Sequence, residues 1–246
     1  MNQQLTIEKM KMMRLKGMAQ THHANLEQQR YQDYTIDQYV SLLIDQEWEC
    51  RQNRKTTNLL RRASFRINAT VKNIDFTSPR GLDKNVLNRL ASLDFLSKKE
   101  NLIITGATGT GKSYLAQAIG NEACLHLHKT KYFTTARLFD EINLAKLQGT
   151  YHKLIKSIQN TALLILDDFG LHPFDKNARQ ALMDIVEYKY EQSSLIITSQ
   201  FPVTKWHELI GEGTIADAIL DRLIHSSHRI ELKGESLRKQ KKITSN

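Results

Sequence analysis

The chain has 246 residues, with 35 Lys and Arg against 26 Asp and Glu, a formal net charge of +9 and a pI near 9.5. That length accommodates one substantial α/β core with a smaller appendage, and the basic balance favours a polyanionic partner over an acidic one. Apolar runs of at most four or five residues are far too short for a membrane span or signal core, and Cys50 and Cys124 alone build neither a disulfide framework nor a metal cluster, so a soluble, cytosolic protein with no membrane partner is expected.

Residues 5–30 and 36–65 contain no proline and almost no glycine, and Ile36, Val40, Leu43 and Trp48 recur at helical spacing. A small helical domain is therefore expected over residues 1–72. After Cys50 its second helix changes character: Arg51, Arg54, Lys55, Arg61, Arg62, Arg66 and Lys72 place seven positive charges in 22 residues with no acid among them. A merely solvated helix interleaves its signs. Glu47 can pair with Arg51 at i,i+4, but nothing local neutralises the others. Arg51, Arg54, Lys55, Arg61, Arg62 and Arg66 are thus candidate contacts to nucleic-acid phosphates, with little sequence selectivity because no base-reading arrangement accompanies them. Turn residues near 73–81 interrupt the helical pattern and mark the boundary with a second domain, 73–246. Its last residues include the basic tail Arg238-Lys239-Gln240-Lys241-Lys242.

The second domain opens its chemistry with Gly106-Ala107-Thr108-Gly109-Thr110-Gly111-Lys112-Ser113, preceded by the apolar run Leu102-Ile103-Ile104-Thr105 and followed by Tyr114-Leu115-Ala116-Gln117-Ala118-Ile119. Strand, glycine loop and helix in that order are the context a phosphate-binding P-loop requires. Glycines let the backbone curl around an anion, with successive N–H groups and the helix N-terminus pointing inward. Lys112 then reaches the β- and γ-phosphates and the Ser113 hydroxyl sits on Mg²⁺. Gly106 through Ser113, with Tyr114 beside them, are the candidate nucleotide-binding set.

A strand near Lys131–Thr134 and flanking helices fit between this loop and the next apolar run, Leu163-Leu164-Ile165-Leu166-Asp167-Asp168. A magnesium bridging phosphates needs a carboxylate, and water activation needs a second one. Asp167 is the candidate metal carboxylate and Asp168 the candidate base. A third apolar strand, Leu195-Ile196-Ile197-Thr198, ends in Ser199-Gln200, where a parallel sheet converges on its ligand. Gln200 is the first candidate there to touch the γ-phosphate or orient water, and Ser199 the second. Farther on, Arg222 near the end of a helix has no acid at the two preceding helical neighbours, Ala218 and Ile219. Two roles stay open for it: an ion pair elsewhere in the fold, or an arginine finger on a neighbouring subunit's nucleotide. Arg238 is a further phosphate candidate within the tail. The nine histidines form no motif; His126 and His128 near Cys124 lack a fourth ligand at a sensible spacing.

Together these segments resemble the IstB-like helper ATPases of bacterial insertion sequences, which belong to the AAA+ class and are related to DnaC-type helicase loaders. The resemblance is carried by Leu15-Lys16-Gly17-Met18-Ala19, Asp45-Gln46-Glu47-Trp48, Arg80-Gly81-Leu82-Asp83, the P-loop, Leu166-Asp167-Asp168-Phe169-Gly170, Ile197-Thr198-Ser199-Gln200, Leu220-Asp221-Arg222-Leu223-Ile224-His225 and Gly234-Glu235-Ser236-Leu237-Arg238. It implies an AAA+ P-loop fold, a central parallel β-sheet flanked by helices behind a small all-helical N-terminal domain. It implies Mg-ATP held by Lys112, Ser113 and Asp167, with Gln200 as sensor one, Arg222 as the finger acting in trans and Arg238 as sensor two. It further implies an ATP-dependent homo-oligomer on duplex DNA that hydrolyses ATP, selects or remodels the target and recruits or stimulates a cognate transposase. Asp168 departs from the glutamate common in the class, which implies slow hydrolysis, and Gln200 from the asparagine usual in loaders. A helicase loader is the alternative reading, and a small-molecule kinase a weaker one.

Overall fold

The computed structural model describes residues 3–76, 80–211 and 213–237. The chain divides into two compact units, Met1–Asn58 and Leu59–Asn246. The turn residues expected at a domain boundary come later than this division, because residues 65–74 pack on the second unit: Phe65, Ala69 and Ile74 belong to its core. Thr77, Ser78 and Pro79 of that turn lie outside the described residues.

In the first unit the stretch from residue 5 to 30 is two helices, α1 (Gln3–Met12) and α2 (Lys16–Glu27), broken where Arg14 adopts a φ of 63°. The long α3 (Ile36–Ala63) follows and runs past the division. α2 meets α3 at Gly17, where a Cβ would come 2.5 Å from the Gln46 carbonyl oxygen. The Gly17 amide donates to Glu47 Oε2 at 2.7 Å, and the other oxygen of that carboxylate takes Arg51 Nε at 2.7 Å. Arg51 is therefore neutralised in place, whereas Arg54, Lys55 and Arg62 are exposed.

The second unit begins its fold with α4 (Lys84–Ala91), whose cap Asp83 accepts from the Asn85 and Val86 amides, and the short α5 (Asp94–Ser97). Then come β1 (Asn101–Gly106), α6 (Lys112–Leu125), β2 (Thr130–Thr134), α7 (Thr135–Leu147), α8 (Tyr151–Gln159), β3 (Leu163–Phe169), α9 (Lys176–Lys189), β4 (Ser194–Ser199), α10 (Trp206–Ile210), α11 (Gly213–Ile224) and β5 (Ser227–Leu232). The five strands form one parallel sheet in the order β2-β3-β4-β1-β5. Near-continuous Leu and Ile runs are what strands covered on both faces require. Alternation then deals their side chains to two cores. Ile103, Leu164, Leu166, Leu195 and Ile197 join α7 to α11 on one face, and Leu102, Ile104, Leu163, Ile165 and Ile196 join α4 to α6 on the other. The observed architecture, an α/β fold on a parallel five-strand sheet flanked by helices and preceded in the chain by a helical N-terminal region, is the one the resemblance implies.

Adjacency in this sheet positions the chemistry. β1 lies between β4 and β5, and β3 lies next to β4, so the carboxyl ends of β1, β3 and β4 present the P-loop, Asp167-Asp168 and Ser199-Gln200 to one crevice.

Candidate nucleotide site

The P-loop leaves β1 at Gly106 and enters α6 at Lys112. Gly111, the residue capping α6, has a φ of 96°, and a Cβ there would come 2.7 Å from Arg80 Nη1. Gly109, with φ 85°, lies so close to Ser236 that a side chain would collide with it; the Leu237 amide donates to the Gly109 carbonyl at 3.0 Å. The loop is thus backed by two segments remote in sequence. Arg80, only 7% exposed, donates to the carbonyls of Thr110 and Asp75 and so braces the curl from behind.

Inside the curl the Lys112 ammonium donates to the Ala107 carbonyl at 2.8 Å. Burial pulls its pKa down, while Asp168 and Asp167 pull it back up. An ammonium already desolvated and aimed along the loop gives up little hydration when a phosphate arrives.

Asp167 is buried and shared. Its Oδ1 accepts from Ser113 Oγ at 2.9 Å and from the Thr198 hydroxyl, and its Oδ2 accepts from Tyr132 OH at 2.7 Å. The Thr135 hydroxyl holds its backbone carbonyl at 3.0 Å. Burial, then the Asp167 charge, drives the Tyr132 hydroxyl pKa well above the ordinary phenol value, so Tyr132 stays a donor. Ser113 Oγ beside a carboxylate oxygen is a pair of hard donors, of the sparse kind that can hold magnesium when phosphate and water complete its shell. No cluster of three His, Cys, Asp or Glu among the described residues offers a softer alternative.

Asp168 sits at an irregularity of the sheet. β3 takes three residue steps from Leu166 to Phe169 while β4 takes two from Ile197 to Ser199, so one extra residue is accommodated as a bulge, and Asp168 takes a φ of 58°. Its amide turns back onto Asp167 Oδ1 and Thr198 Oγ1, each at 3.2 Å. The side chain is thereby redirected from the strand's alternation. Burial and the Asp167 carboxylate raise the Asp168 pKa, with Lys112, Arg66 and His172 opposing. A carboxylate moved up toward neutrality is the better proton acceptor.

Gln200 faces the loop: Thr108 Oγ1 donates to Gln200 Oε1 at 2.7 Å. Ser199 does not, since its hydroxyl donates to the Phe169 carbonyl and receives the Phe201 amide. The structure therefore gathers Lys112, Ser113, Asp167, Asp168 and Gln200 around one loop. It also adds Tyr132, Thr198 and Arg80, which sequence reasoning did not assign to the site. Thr198 was visible as the polar end of an apolar strand, and Tyr132 gave no signal of its own.

Arg222 lies elsewhere. Asn101, the first residue of β1, donates from Nδ2 to the Arg222 carbonyl at 3.4 Å, so this arginine belongs to the end of the sheet opposite the P-loop. Its Nε pairs with Glu187 Oε2 at 2.7 Å, Nη1 donates to the Ala218 carbonyl at 3.0 Å, and the guanidinium lies 5.9 Å from the centre of the Tyr190 ring. The acid elsewhere in the fold is thus Glu187 of α9. A cavity of about 230 Å³ opens there, lined by Lys98, Lys99, Lys189, Tyr190, Glu191 and Arg222 among others. Arg238 lies outside the described residues, as does the remainder of the tail. Of the basic run, Arg51 is ion-paired with Glu47, and the positive charge of Arg66 opposes the upward pKa shifts of Tyr132 and Asp168. No helix among the described residues is long and apolar enough to cross a membrane.

Comparison with known proteins agrees with this geometry. The chain is 41% identical over 237 residues to the insertion sequence ATP-binding protein y4pL of Sinorhizobium fredii, covering 96% of this chain and 97% of that one. It is 31% identical over 231 residues to the ATP-binding protein of insertion sequence IS21 of Pseudomonas aeruginosa, covering 93% and 87%. Among solved structures it resembles the DnaC helicase loader with a TM-score of 0.54 and 20% identity, over 68% of this chain and 97% of that one, a likeness of fold. The family described as IstB-like ATP binding protein matches residues 8–245. A P-loop braced by Arg80 and closed by Asp167 thus sits within a match spanning almost the whole chain, which belongs to the IstB-like ATP-binding family.

Proposed function

We propose that the chain is an ATP-hydrolysing switch of an insertion sequence. It assembles on duplex DNA when ATP fills the site, and it selects or remodels the target and recruits or stimulates the cognate transposase. The observation that carries this reading is the hydrogen-bonded set of Ser113, Asp167 and Asp168 within electrostatic reach of the Lys112 ammonium, in a chain with insertion sequence relatives along nearly its whole length.

Within the site, Lys112 and the loop amides hold the phosphates, and Ser113 with Asp167 would hold Mg²⁺. The ion would supply neutralisation of charge on the β- and γ-phosphates. Asp168 accepts the proton of the attacking water, and Gln200, tied to Thr108, orients the groups around the γ-phosphate. Arg222 faces away from its own P-loop, which supports a role on a neighbouring subunit's nucleotide once it exchanges Glu187 for phosphate. The exposed cations of α3 supply sequence-independent grip on DNA, and assembly multiplies weak contacts into avidity.

Sedimentation velocity with short duplex DNA tests the switch. A large protein–DNA species specific to ATP is expected, absent with ADP or without nucleotide. Equal sedimentation in all three conditions would refute it. A helicase loader shares the fold, and it is distinguished by binding a replicative helicase through the N-terminal unit while ignoring duplex DNA.

A further inference from the structure

The chain leaving α3 is strapped to the helix that carries Lys112 and Ser113. α3 ends at Ala63, and Ser64 turns the backbone with a φ of 60°. Phe65 then lies over Gly120 of α6, where a Cβ would come 2.9 Å from its ring, and faces Tyr132 with ring centres 6.4 Å apart. The next two amides, of Arg66 and Ile67, both donate to Gln117 Oε1, at 2.8 and 3.2 Å. Ala69 is buried, and the Thr70 amide reaches Tyr114 OH at 3.5 Å. Tyr114, Gln117 and Gly120 recur at every third position, so residues 65–70 lie along one face of α6.

Gln117 is the polar centre of that contact, 2% exposed and with both ends of its side-chain amide in use. While Oε1 holds the strap, Nε2 donates back by one turn to the Ser113 carbonyl at 3.1 Å, the direction in which helical side chains lean. The Ser113 hydroxyl in turn donates to Asp167 Oδ1 at 2.9 Å. The strap backbone, the Gln117 amide and the residue facing the metal carboxylate are therefore consecutive members of one hydrogen-bonded set. An aliphatic side chain of the same length would fill the space yet leave two backbone amides without their acceptor.

We propose that Gln117 is a positioning residue of the nucleotide site, fastening the Ser113 turn of α6 to the strap 65–70, so that filling the phosphate site stiffens the chain at the end of α3. The proposal rests on the reading of Ser113 as the hydroxyl that meets Mg-ATP. The linkage is reciprocal, so whatever α3 grips bears on Ser113 through the same amide.

The test uses the full chain as wild type, Gln117→Glu, Gln117→Met and Ser113→Ala. Hydrogen exchange of the Arg66 and Ile67 amides is followed by NMR without DNA, in the absence of nucleotide and with Mg²⁺ plus the non-hydrolysable analogue AMPPCP. ATP hydrolysis is measured separately at saturating duplex DNA. In the wild type, Mg-AMPPCP is expected to slow exchange at both amides about fivefold or more. Gln117→Glu keeps an acceptor for the two amides and loses the donor to Ser113. It should retain the protection seen without nucleotide and lose the response to Mg-AMPPCP. Its kcat should fall about tenfold or more, with KM for ATP little changed because Lys112 and the loop amides still hold the phosphates. Gln117→Met should lose the protection and the response alike, and Gln117→Glu, which preserves the anchorage, carries the test if Gln117→Met does not fold. Exchange in the wild type that ignores Mg-AMPPCP would overturn the proposal, as would a normal response and a normal kcat in Gln117→Glu. Full hydrolysis in Ser113→Ala would overturn the underlying reading of the hydroxyl, whereas loss there with normal Gln117→Glu turnover would overturn the role of Gln117 alone.

Discussion

Replacing Lys189 with methionine should remove a specific pH dependence of stability. Lys189 ends α9 at 1% exposure, with Nζ donating to the carbonyl and hydroxyl oxygens of Thr161 at 2.6 and 2.8 Å. Both partners are neutral, and burial pushes the ammonium pKa down to about 7 from 10.5. The unfolded lysine keeps its proton up to the higher value while the folded one releases it near the lower. Between them the unfolded chain binds one more proton, so stability rises with pH, at up to about 1.4 kcal/mol per unit. Below the folded value both states are protonated and the full penalty persists, unchanged by further acidification. Integrated from pH 7 to 9, this one group should add about 2 kcal/mol. Urea unfolding of the wild type and Lys189→Met across pH 6 to 9.5 isolates it, because the other titrating groups cancel in the difference. The unpaired Thr161 oxygens left by the substitution add an offset that does not vary with pH. The variant's relative stability should therefore be greatest at or below neutrality and decline by about 2 kcal/mol toward pH 9. Two parallel curves would refute the reasoning and imply that water or an anion keeps the buried ammonium charged.

The nucleotide site yields its own expectations. Lys112→Ala should weaken ATP binding about tenfold or more, measured by equilibrium dialysis, and should abolish the ATP-specific assembly on DNA. Asp168→Asn should retain ATP affinity while turnover falls about 10²- to 10⁴-fold; full activity would remove Asp168 from the role of base. Arg222→Ala should bind ATP normally as an isolated subunit yet lose about 10³-fold in hydrolysis within an assembly, and mixing it with Lys112→Ala subunits should recover activity if the arginine works in trans. Replacing Arg54, Lys55, Arg61 and Arg62 together with alanine should reduce the salt slope of DNA binding by up to about 3.6, four contacts at about 0.9 each. An unchanged slope would move the DNA face elsewhere.

What the sequence disclosed divides along physical lines. The three apolar strand runs were legible because burial on both faces demands them, and the P-loop because its chemistry is local in sequence. Gln200 was foreseen as a strand-end group and lies on Thr108. The expected strand near Lys131–Thr134 is β2, but the hydrogen bond from Tyr132 to Asp167 depends on β2 pairing with β3, which one-dimensional pattern does not encode. Gln117 and Arg80 were hidden similarly: each reads as an ordinary helix or turn residue until distant chain arrives beside it. β5 escaped notice because Ser227-His228-Arg229-Ile230-Glu231-Leu232 is an edge strand with only two apolar residues, both buried. The left-handed turn at Arg14 and the bulge at Asp168 are conformations held by surrounding contacts against local preference.

The separation of Arg222 from the P-loop has a consequence for symmetry. β1 spans five residue steps between Asn101 and Gly106, about 16 Å at 3.3 Å per residue, with the loop at one end and the arginine's cavity at the other. If Arg222 completes a neighbour's site, the surfaces that meet are unlike, and no two-fold dimer can form by that contact. Repetition instead gives a closed ring or an open helical arc. In an arc of n subunits only n − 1 nucleotide sites receive an arginine, so one end is catalytically silent. Growth of the arc then raises turnover per subunit, and a lone pair of subunits would hydrolyse at half the rate per chain of a long assembly.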